Sequence, residues 1–237
     1  MNNTIQLIAI AAIPVLFAII LHEISHGYVA HKFGDDTAKN AGRLTLNPIK
    51  HIDPFGTILL PLLLIVIGSP FLFGYAKPVP VNFNALKNPK RDTAFVAAAG
   101  PTTNFLLAAV SFIFLKLIFT AYPVMNIYLF NFIHSFKFQN VSGNGSFFQY
   151  FIYPASFMLF IGIMINIVLG LFNLIPIPPL DGGRIAVSIL PEPFSGFLSR
   201  LEPFGIFIIL ILLLLDPYNF FIVGFNFIVN KIILGHL

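Results

Sequence analysis

The 237-residue sequence contains no cysteine and no tryptophan, and only 9% of its residues are charged. Without cysteine the chain can form neither disulfides nor thiolate metal sites, and it has no cysteine nucleophile. Any bound metal ion must therefore be held by histidine or by a carboxylate. The shortage of charge excludes a soluble globule, in which about a quarter of the residues are normally charged.

The residues that are present are mostly apolar, since 57% of the chain is hydrophobic. The apolar runs are long and lack the alternation of a barrel strand, and in lipid each helix satisfies its own backbone groups. We therefore predict an all-α membrane protein, a polytopic helical bundle embedded in the lipid bilayer. The formal net charge of +4 forms no concentrated basic patch, so we predict no nucleic-acid partner.

Several hydrophobic segments are candidates for membrane spans. Residues 5–21 begin the first, and residues 93–122 and 151–176 are each long enough to cross. Residues 204–215 form a further predicted span, whereas 219–237 either crosses the bilayer or lies in its interface. No internal repeat is visible, so residues 1–237 are predicted to form a single membrane-embedded domain with C-terminal hydrophobic segments over 197–237.

The distribution of basic residues predicts the orientation of the chain. Eight of the thirteen lysines and arginines fall between Gly27 and Asp92, which places that stretch in the cytoplasm. The first residues, MNNT, lack the positive charge of a secretory signal, so we expect the first helix to be retained with its N-terminus outside. Residues 123–150, rich in Asn, Ser and Gly, are predicted to be an external loop. We predict a multi-pass protein of the cell membrane.

Residues 55–74, FGTILLPLLLIVIGSPFLFG, raise a difficulty because they are apolar but have basic segments on both sides. Pro61, Gly68 and Pro70 interrupt them. A segment with positive charge at both ends is best explained as re-entrant, entering the membrane and returning to the same side where it is buried against protein. The alternative is a true span with one basic flank outside.

Polar groups cluster at the end of the first helix, where residues 21–36 read LHEISHGYVAHKFGDD. On a helix His22 and His26 project from one face, with Glu23 one step away. Zinc proteases need two neutral imidazoles, a third protein ligand and a carboxylate that accepts a proton from water. The pattern favours a metalloprotease site near the inner end of the helix; the alternative is a polar helix end at the membrane boundary.

The third ligand has to come from a small set of acidic residues. These are Asp35, Asp36, Asp53, Asp92, Asp181, Glu192, Glu202 and Asp216. Asp181 differs from the rest because it follows the long segment 151–176, which returns to the side where the histidines lie. Two glycines after it permit close backbone approach and a turn that directs the carboxylate. An aspartate that caps the helix starting at Gly182 is an equally acceptable interpretation.

Three motifs together resemble those of the site-2 protease family of intramembrane zinc metalloproteases. They are HEISH, then GPTTN at 100–104, then NLIPIPPLDGG at 173–183, in the order found in the family. The resemblance covers a three-helix catalytic core over residues 5–190. It implies that the chain cleaves peptide bonds within or near transmembrane segments of membrane proteins.

The resemblance also implies roles for individual residues. His22, His26 and Asp181 would bind one zinc ion per chain, and Glu23 would be the general base. Asn173 would be a polar group near the active site that holds the substrate or the oxyanion.

Asn104 also lies in an apolar helix, where binding of an unwound substrate would explain it. For both asparagines the alternative is a hydrogen bond between helices.

Two stretches, LNPIKHIDPFGTILLP and FGYAKPVPVN, resemble the membrane-embedded sheet and loop of the compact branch of that family. We see neither an inserted PDZ domain nor a nucleotide-sensing domain, and oligomeric state and substrate identity stay open. His51 lies either near the active site or against a carboxylate.

Two rival classes remain. A transporter would commonly show paired repeats with broken helices, and none is visible. An inactive binding protein with the same fold would be expected to lose Glu23, which is present.

Overall fold

The computed structural model describes residues 3–68, 74–135, 137–139, 145–205, 207–208 and 211. Within these residues it contains eight α-helices and no β-strand. The helices are α1 (Asn3–Lys32), α2 (Thr37–Asn40), α3 (Leu60–Val66), α4 (Pro89–Ala121), α5 (Val124–Ser135), α6 (Tyr153–Asn173), α7 (Asp181–Ile189) and α8 (Phe194–Leu201). The predicted all-α fold is therefore confirmed.

Three helical segments are long and apolar enough to cross a membrane: Ile5–Lys32, Pro89–Ala121 and Phe148–Asn173. They correspond to the first three spans expected from the sequence, within a few residues at each end. Most of the fourth predicted span, and all of residues 219–237, lie outside the described residues.

The first helix ends where the sequence leads one to expect. Gly34 has a φ of 108°, a left-handed conformation that glycine adopts without steric cost. The next N–H, that of Asp35, donates to the carbonyl of Ala30 at 3.0 Å, closing the helix end. The HEISH motif therefore lies on continuous helix, about two to three turns before Gly34.

Residues 123–150 are not simply a loop, and that prediction was wrong for its first half. Helix α5 occupies Val124–Ser135 and buries Met125, Leu129 and Phe132, which recur at helical spacing. The Asn, Ser and Gly residues that suggested a loop are concentrated toward the end of the segment, whereas its start is apolar enough to pack.

The chain divides into two compact units. The first contains the described residues of 1–18 and 105–168, and its core is formed largely by aromatic and long aliphatic side chains. That core comprises Leu115, Phe119, Met125, Leu129, Phe132, Phe148, Tyr153, Phe157, Phe160, Ile163 and Met164. The second unit contains the described residues of 19–104 and of 169–216. It holds every residue that the sequence predicts for the site.

The two flanks of the apolar segment after His51 lie next to each other. It forms a π-helix over Pro54–Leu59 followed by α3, and the Tyr75 N–H donates to the carbonyl of Gly56 at 3.1 Å. The thirteen residues Pro54–Val66 form a short apolar helical stretch of about 20 Å, less than the roughly 30 Å of a bilayer core. In the described residues the segment is thus a short helical stretch whose flanks lie together, and the re-entrant path stays a prediction.

The sheet implied by the resemblance is not found in the described part of this segment. Residues 54–66 are helical instead, which lets a leucine-rich stretch satisfy its backbone groups locally. Gly56 permits the returning chain to approach, because a Cβ at this position would lie 2.6 Å from Cζ of Tyr75.

The re-entrant path predicts that its two flanks lie on the same side of the membrane. Lys50 and Lys87 are both exposed, and the native chain offers no competing thiol. Single cysteines at these positions should therefore react equally with an impermeant thiol reagent in inverted vesicles and resist it in intact cells. Labelling of the two positions from opposite sides would make 55–74 a true span and contradict the prediction.

Candidate metal centre

The side chains of His22, His26 and Asp181 converge in the second unit, although Asp181 follows His26 by 155 positions in the sequence. His22 and His26 lie one turn apart on α1, and their Nε2 atoms are 3.1 Å from each other. Oδ2 of Asp181, at the start of α7, lies 3.2 Å from Nε2 of His22 and 3.3 Å from Nε2 of His26. Each side chain is largely shielded from solvent. This group of three has the ligand types and spacing of a metal site.

The other ring nitrogen of each histidine has a partner that sets its protonation. Nδ1 of His22 donates to Oδ1 of Asn104 at 2.6 Å, and Nδ1 of His26 donates to the carbonyl of Val96 at 2.7 Å. Since these oxygens only accept, the protons of the neutral imidazoles lie on Nδ1. Both Nε2 atoms therefore present lone pairs, as metal-binding histidines do.

The three facing atoms are all acceptors, and this arrangement fits a cation. Oδ2 of Asp181 is buried and has no hydrogen-bond partner among the described residues. Two imidazole lone pairs and a carboxylate that face one another at these distances repel without a compensating positive charge, and a cation between them supplies it. Tetrahedral zinc with bonds of about 2.0 to 2.1 Å separates its ligands by about 3.3 Å, close to the distances found here.

The backbone of α4 forms one wall of the site at Gly100. A Cβ built on Gly100 would collide with Nε2 of His26 and lie only 2.6 Å from Nε2 of His22. The motif GPTTN thus begins with the residue that leaves room for both imidazoles. The sequence displays this glycine, but its role follows only from the packing of α4 on α1.

Gly100→Ala should therefore disable the site. The methyl group would have to displace imidazole atoms by about 1 Å to reach ordinary contact distances, and such a misplacement can cost about 10²-fold in rate. We expect zinc content and any cleavage to fall together. Gly162→Ala is the matched control, since its added Cβ would meet nothing closer than Oγ of Ser111 at 3.4 Å. Equal zinc content in the two variants would contradict the prediction.

Close backbone packing also explains the two glycines after Asp181. A Cβ on Gly182 would lie 2.6 Å from the carbonyl oxygen of Ile175, and one on Gly183 would lie 2.7 Å from Cα of Pro178. Asp181 is the first residue of α7, and the position before it, Leu180, makes no side-chain cap. The carboxylate is turned to the imidazoles, which favours the ligand interpretation over the cap.

Glu23 lies on α1 beside the two histidines but does not bond to them. Its Oε2 accepts a hydrogen bond from the backbone N–H of Val79 at 2.7 Å. The side chain is half-buried. Val79 belongs to the extended segment 74–82, and nothing in the sequence pairs it with Glu23.

The two asparagines occupy different places. Asn104 is fully buried, and its side chain accepts from His22, so this contact joins α4 to α1 and orients the His22 imidazole. Asn173 donates to the carbonyl of Leu169 at 3.0 Å within its own helix. Among the described residues no hydrogen bond joins Asn173 to His22 or to Asp181.

His51 is buried, and its hydrogen-bond partner is a backbone carbonyl. Its Nε2 donates to the carbonyl of Thr45 at 2.8 Å. Of the two alternatives, pairing with a carboxylate is not supported, since no hydrogen bond joins His51 to a carboxylate among the described residues.

Two histidines on an apolar helix face a buried aspartate, and a glutamate lies beside them. In a helical membrane protein this group could hold a metal ion, and its donor set suits hydrolysis. The sequence profile of Peptidase family M50 matches residues 10–215. The chain belongs to this family.

Curated relatives agree with this assignment. "Putative zinc metalloprotease YwhC" of Bacillus subtilis is 38% identical over 218 residues, which cover 92% of this chain and 85% of the relative. "Putative zinc metalloprotease Rip2" of Mycobacterium tuberculosis is 28% identical over 92% of this chain and 74% of its own length. "Zinc metalloprotease MJ0392" of Methanocaldococcus jannaschii is 27% identical over 84% of this chain but only 39% of the relative. No solved structure gives a significant match.

These findings confirm the predicted peptidase class. The predicted zinc cofactor agrees both with the donor set of the site and with the names of the relatives.

Proposed function

We propose that this chain is a zinc metalloprotease that hydrolyses peptide bonds within or near the transmembrane segments of membrane proteins. One observation carries the proposal: three acceptor atoms, 3.1 to 3.3 Å apart, converge toward the C-terminal end of an apolar helix long enough to cross a bilayer. Ionisable groups at such positions are costly, and they usually mark function. Membership of a peptidase family supports hydrolysis over transport.

His22, His26 and Asp181 are the proposed ligands of one zinc ion. When bound there, zinc supplies a Lewis acid that makes a water molecule more acidic and polarises the scissile carbonyl. The two histidines are held in the required tautomer by Asn104 and by the carbonyl of Val96. Asn104 is thus a positioning residue for His22 and not a substrate contact.

Glu23 is the proposed general base. It follows His22 directly, so its carboxylate projects beside the ligand face of α1. It accepts the proton of the attacking water and delivers it to the leaving amine when the peptide bond breaks.

Asn173 has a more limited proposed role. Its amide nitrogen is engaged by Leu169, so the side chain would have to turn from that carbonyl to donate to a substrate oxyanion. If the side chain does not turn, its role is limited to the hydrogen bond with Leu169 in the last turn of α6.

The proposed substrate is the helix of another membrane protein. The backbone of such a helix is already hydrogen-bonded, so cleavage requires local unwinding. The segment 74–82 passes Glu23, so it lies beside the proposed site of cleavage. We place the site toward the cytoplasmic side of the cell membrane, following the basic residues of 27–92.

Reconstitution tests the proposal directly. The purified chain in liposomes should contain about one zinc per chain and should cleave a model protein with a single transmembrane helix. A chelator should abolish cleavage, and added zinc should restore it. The control is the same cut sequence in a water-soluble helical protein, which should be cleaved far more slowly. Equal cleavage of both would contradict the membrane substrate, and cleavage unaffected by the chelator would contradict the metal.

A further inference from the structure

Residues 74–82, GYAKPVPVN, form an extended segment that we call the strap. It is fixed on both sides of its centre. The N–H of Lys77 donates to the carbonyl of His51 at 2.9 Å, and the N–H of Asn82 donates to Oδ2 of Asp35 at 2.7 Å. The buried guanidinium of Arg43 also donates to the carbonyl of Lys77 at 2.8 Å. The path of the strap is therefore set by contacts that do not involve Glu23.

The centre of the strap offers a single hydrogen-bond donor. Pro78 and Pro80 have no N–H, so Val79 alone can donate from the PVP sequence. It donates to Oε2 of Glu23 at 2.7 Å, a length typical of a bond to a charged acceptor. The side chain of Val79 is buried against Gly27, one turn after Glu23, where a Cβ would lie 2.7 Å from Cγ1 of the valine. Gly27 thus permits the approach that brings this N–H to the carboxylate.

We propose that the backbone N–H of Val79 is a positioning group for the Glu23 carboxylate. The inference rests on the general-base role proposed above. A glutamate side chain has several rotatable bonds, and a base acts only within hydrogen-bond reach of its proton. With Oε2 held by the strap, the carboxylate has one orientation. Among the described residues Oε1 accepts no hydrogen bond, and this oxygen is the one we assign to the attacking water.

The hydrogen bonds that fix the strap show which partner depends on the bond between Val79 and Glu23. Because Lys77 and Asn82 hold the strap on either side, loss of the Glu23 contact leaves the strap in place. Loss of the Val79 N–H, in contrast, leaves the glutamate without a fixed rotamer. The bond therefore fixes the orientation of the Glu23 carboxylate and is not needed to fix the path of the strap.

The matched pair Val79→Pro and Val79→Ala tests the inference. Both lose the valine side chain, but only the proline variant loses the N–H. Flanking prolines already favour the polyproline conformation, in which a third proline fits. We expect kcat of Val79→Pro to lie about 10- to 10²-fold below that of Val79→Ala, with equal KM and equal zinc content. Equal kcat values would overturn the inference, as would a higher kcat for the proline variant.

Amide exchange of the zinc-loaded protein gives a readout apart from activity. With ¹⁵N-labelled valine, the Val79 N–H should exchange slowly in the wild type and in Glu23→Gln, whose amide oxygen still accepts. It should exchange at least about 10-fold faster in Glu23→Ala. Unchanged exchange in Glu23→Ala would overturn the inference even if Val79→Pro fails to fold. A wild-type chain that binds zinc and cuts nothing would instead overturn the proposed function, with the exchange result unaffected.

Discussion

Replacing Glu23 by glutamine should abolish cleavage and leave the metal in place. Glutamine keeps the shape of the side chain and an oxygen that accepts from the N–H of Val79, but it cannot take up a proton at neutral pH. General-base catalysis contributes about 10²- to 10⁴-fold, so we expect a loss of at least this order in single-turnover cleavage of a membrane-spanning substrate. Zinc content should stay at about one per chain.

The control for Glu23→Gln is Glu202→Gln. Glu202 is exposed and pairs with Arg184 at 3.3 Å, a surface contact worth little to stability. This variant removes the same charge from another part of the unit and should cut at the wild-type rate. Near-native cleavage by Glu23→Gln, with zinc bound, would remove the general-base assignment.

Asp181→Ala should lose the metal itself. Removal of the carboxylate leaves two imidazoles that face each other without the only anionic ligand, so we expect zinc content to fall from about one per chain to near zero after dialysis. Cleavage should disappear with it. Added zinc should raise the melting temperature of the wild type, because a ligand that binds only the folded state stabilises it, and should not raise that of the variant.

Asp36→Ala is the control for Asp181→Ala. Its carboxylate pairs with His31 on α1 and is 57% exposed, so it removes an acidic group without touching the three facing atoms. It should retain zinc and cleavage. If Asp181→Ala stayed folded with unchanged zinc, the third ligand would lie elsewhere. The pair Glu23→Gln and Asp181→Ala also separates chemistry from binding, since only the second should be empty of metal.

Much of the helical framework could be predicted because it depends on local properties. Apolar runs of sufficient length are forced into helices by the lipid, and the predicted spans 93–122 and 151–176 agree with α4 and α6 within a few residues. The failure at α5 has a local cause as well. The segment 123–150 contains two conflicting local signals, the helical spacing of Met125, Leu129 and Phe132 at its start and loop-forming residues toward its end.

In the candidate site, too, some residues could be predicted from local sequence and others could not. His22, Glu23 and His26 lie within one helical turn, so their common position follows from the repeat of the helix. For Asp181 the local sequence allows two roles equally, a metal ligand and a helix cap. Only the three motifs taken together favour the ligand. The sequence contains no local signal for Gly100 as a wall, for Asn104 as the partner of His22, or for Val79 as the partner of Glu23.

By itself, then, the sequence determined that this is an all-α membrane protein with a His-Glu-x-x-His turn at the end of its first long helix. Composition, hydrophobic length and helical periodicity act over short distances and can be read directly. Only the tertiary structure decided that Asp181 faces the two imidazoles, that Gly100 leaves them room, and that the strap bonds to Glu23. These contacts join residues tens to more than a hundred positions apart, and they depend on how helices and loops pack, which no local pattern records.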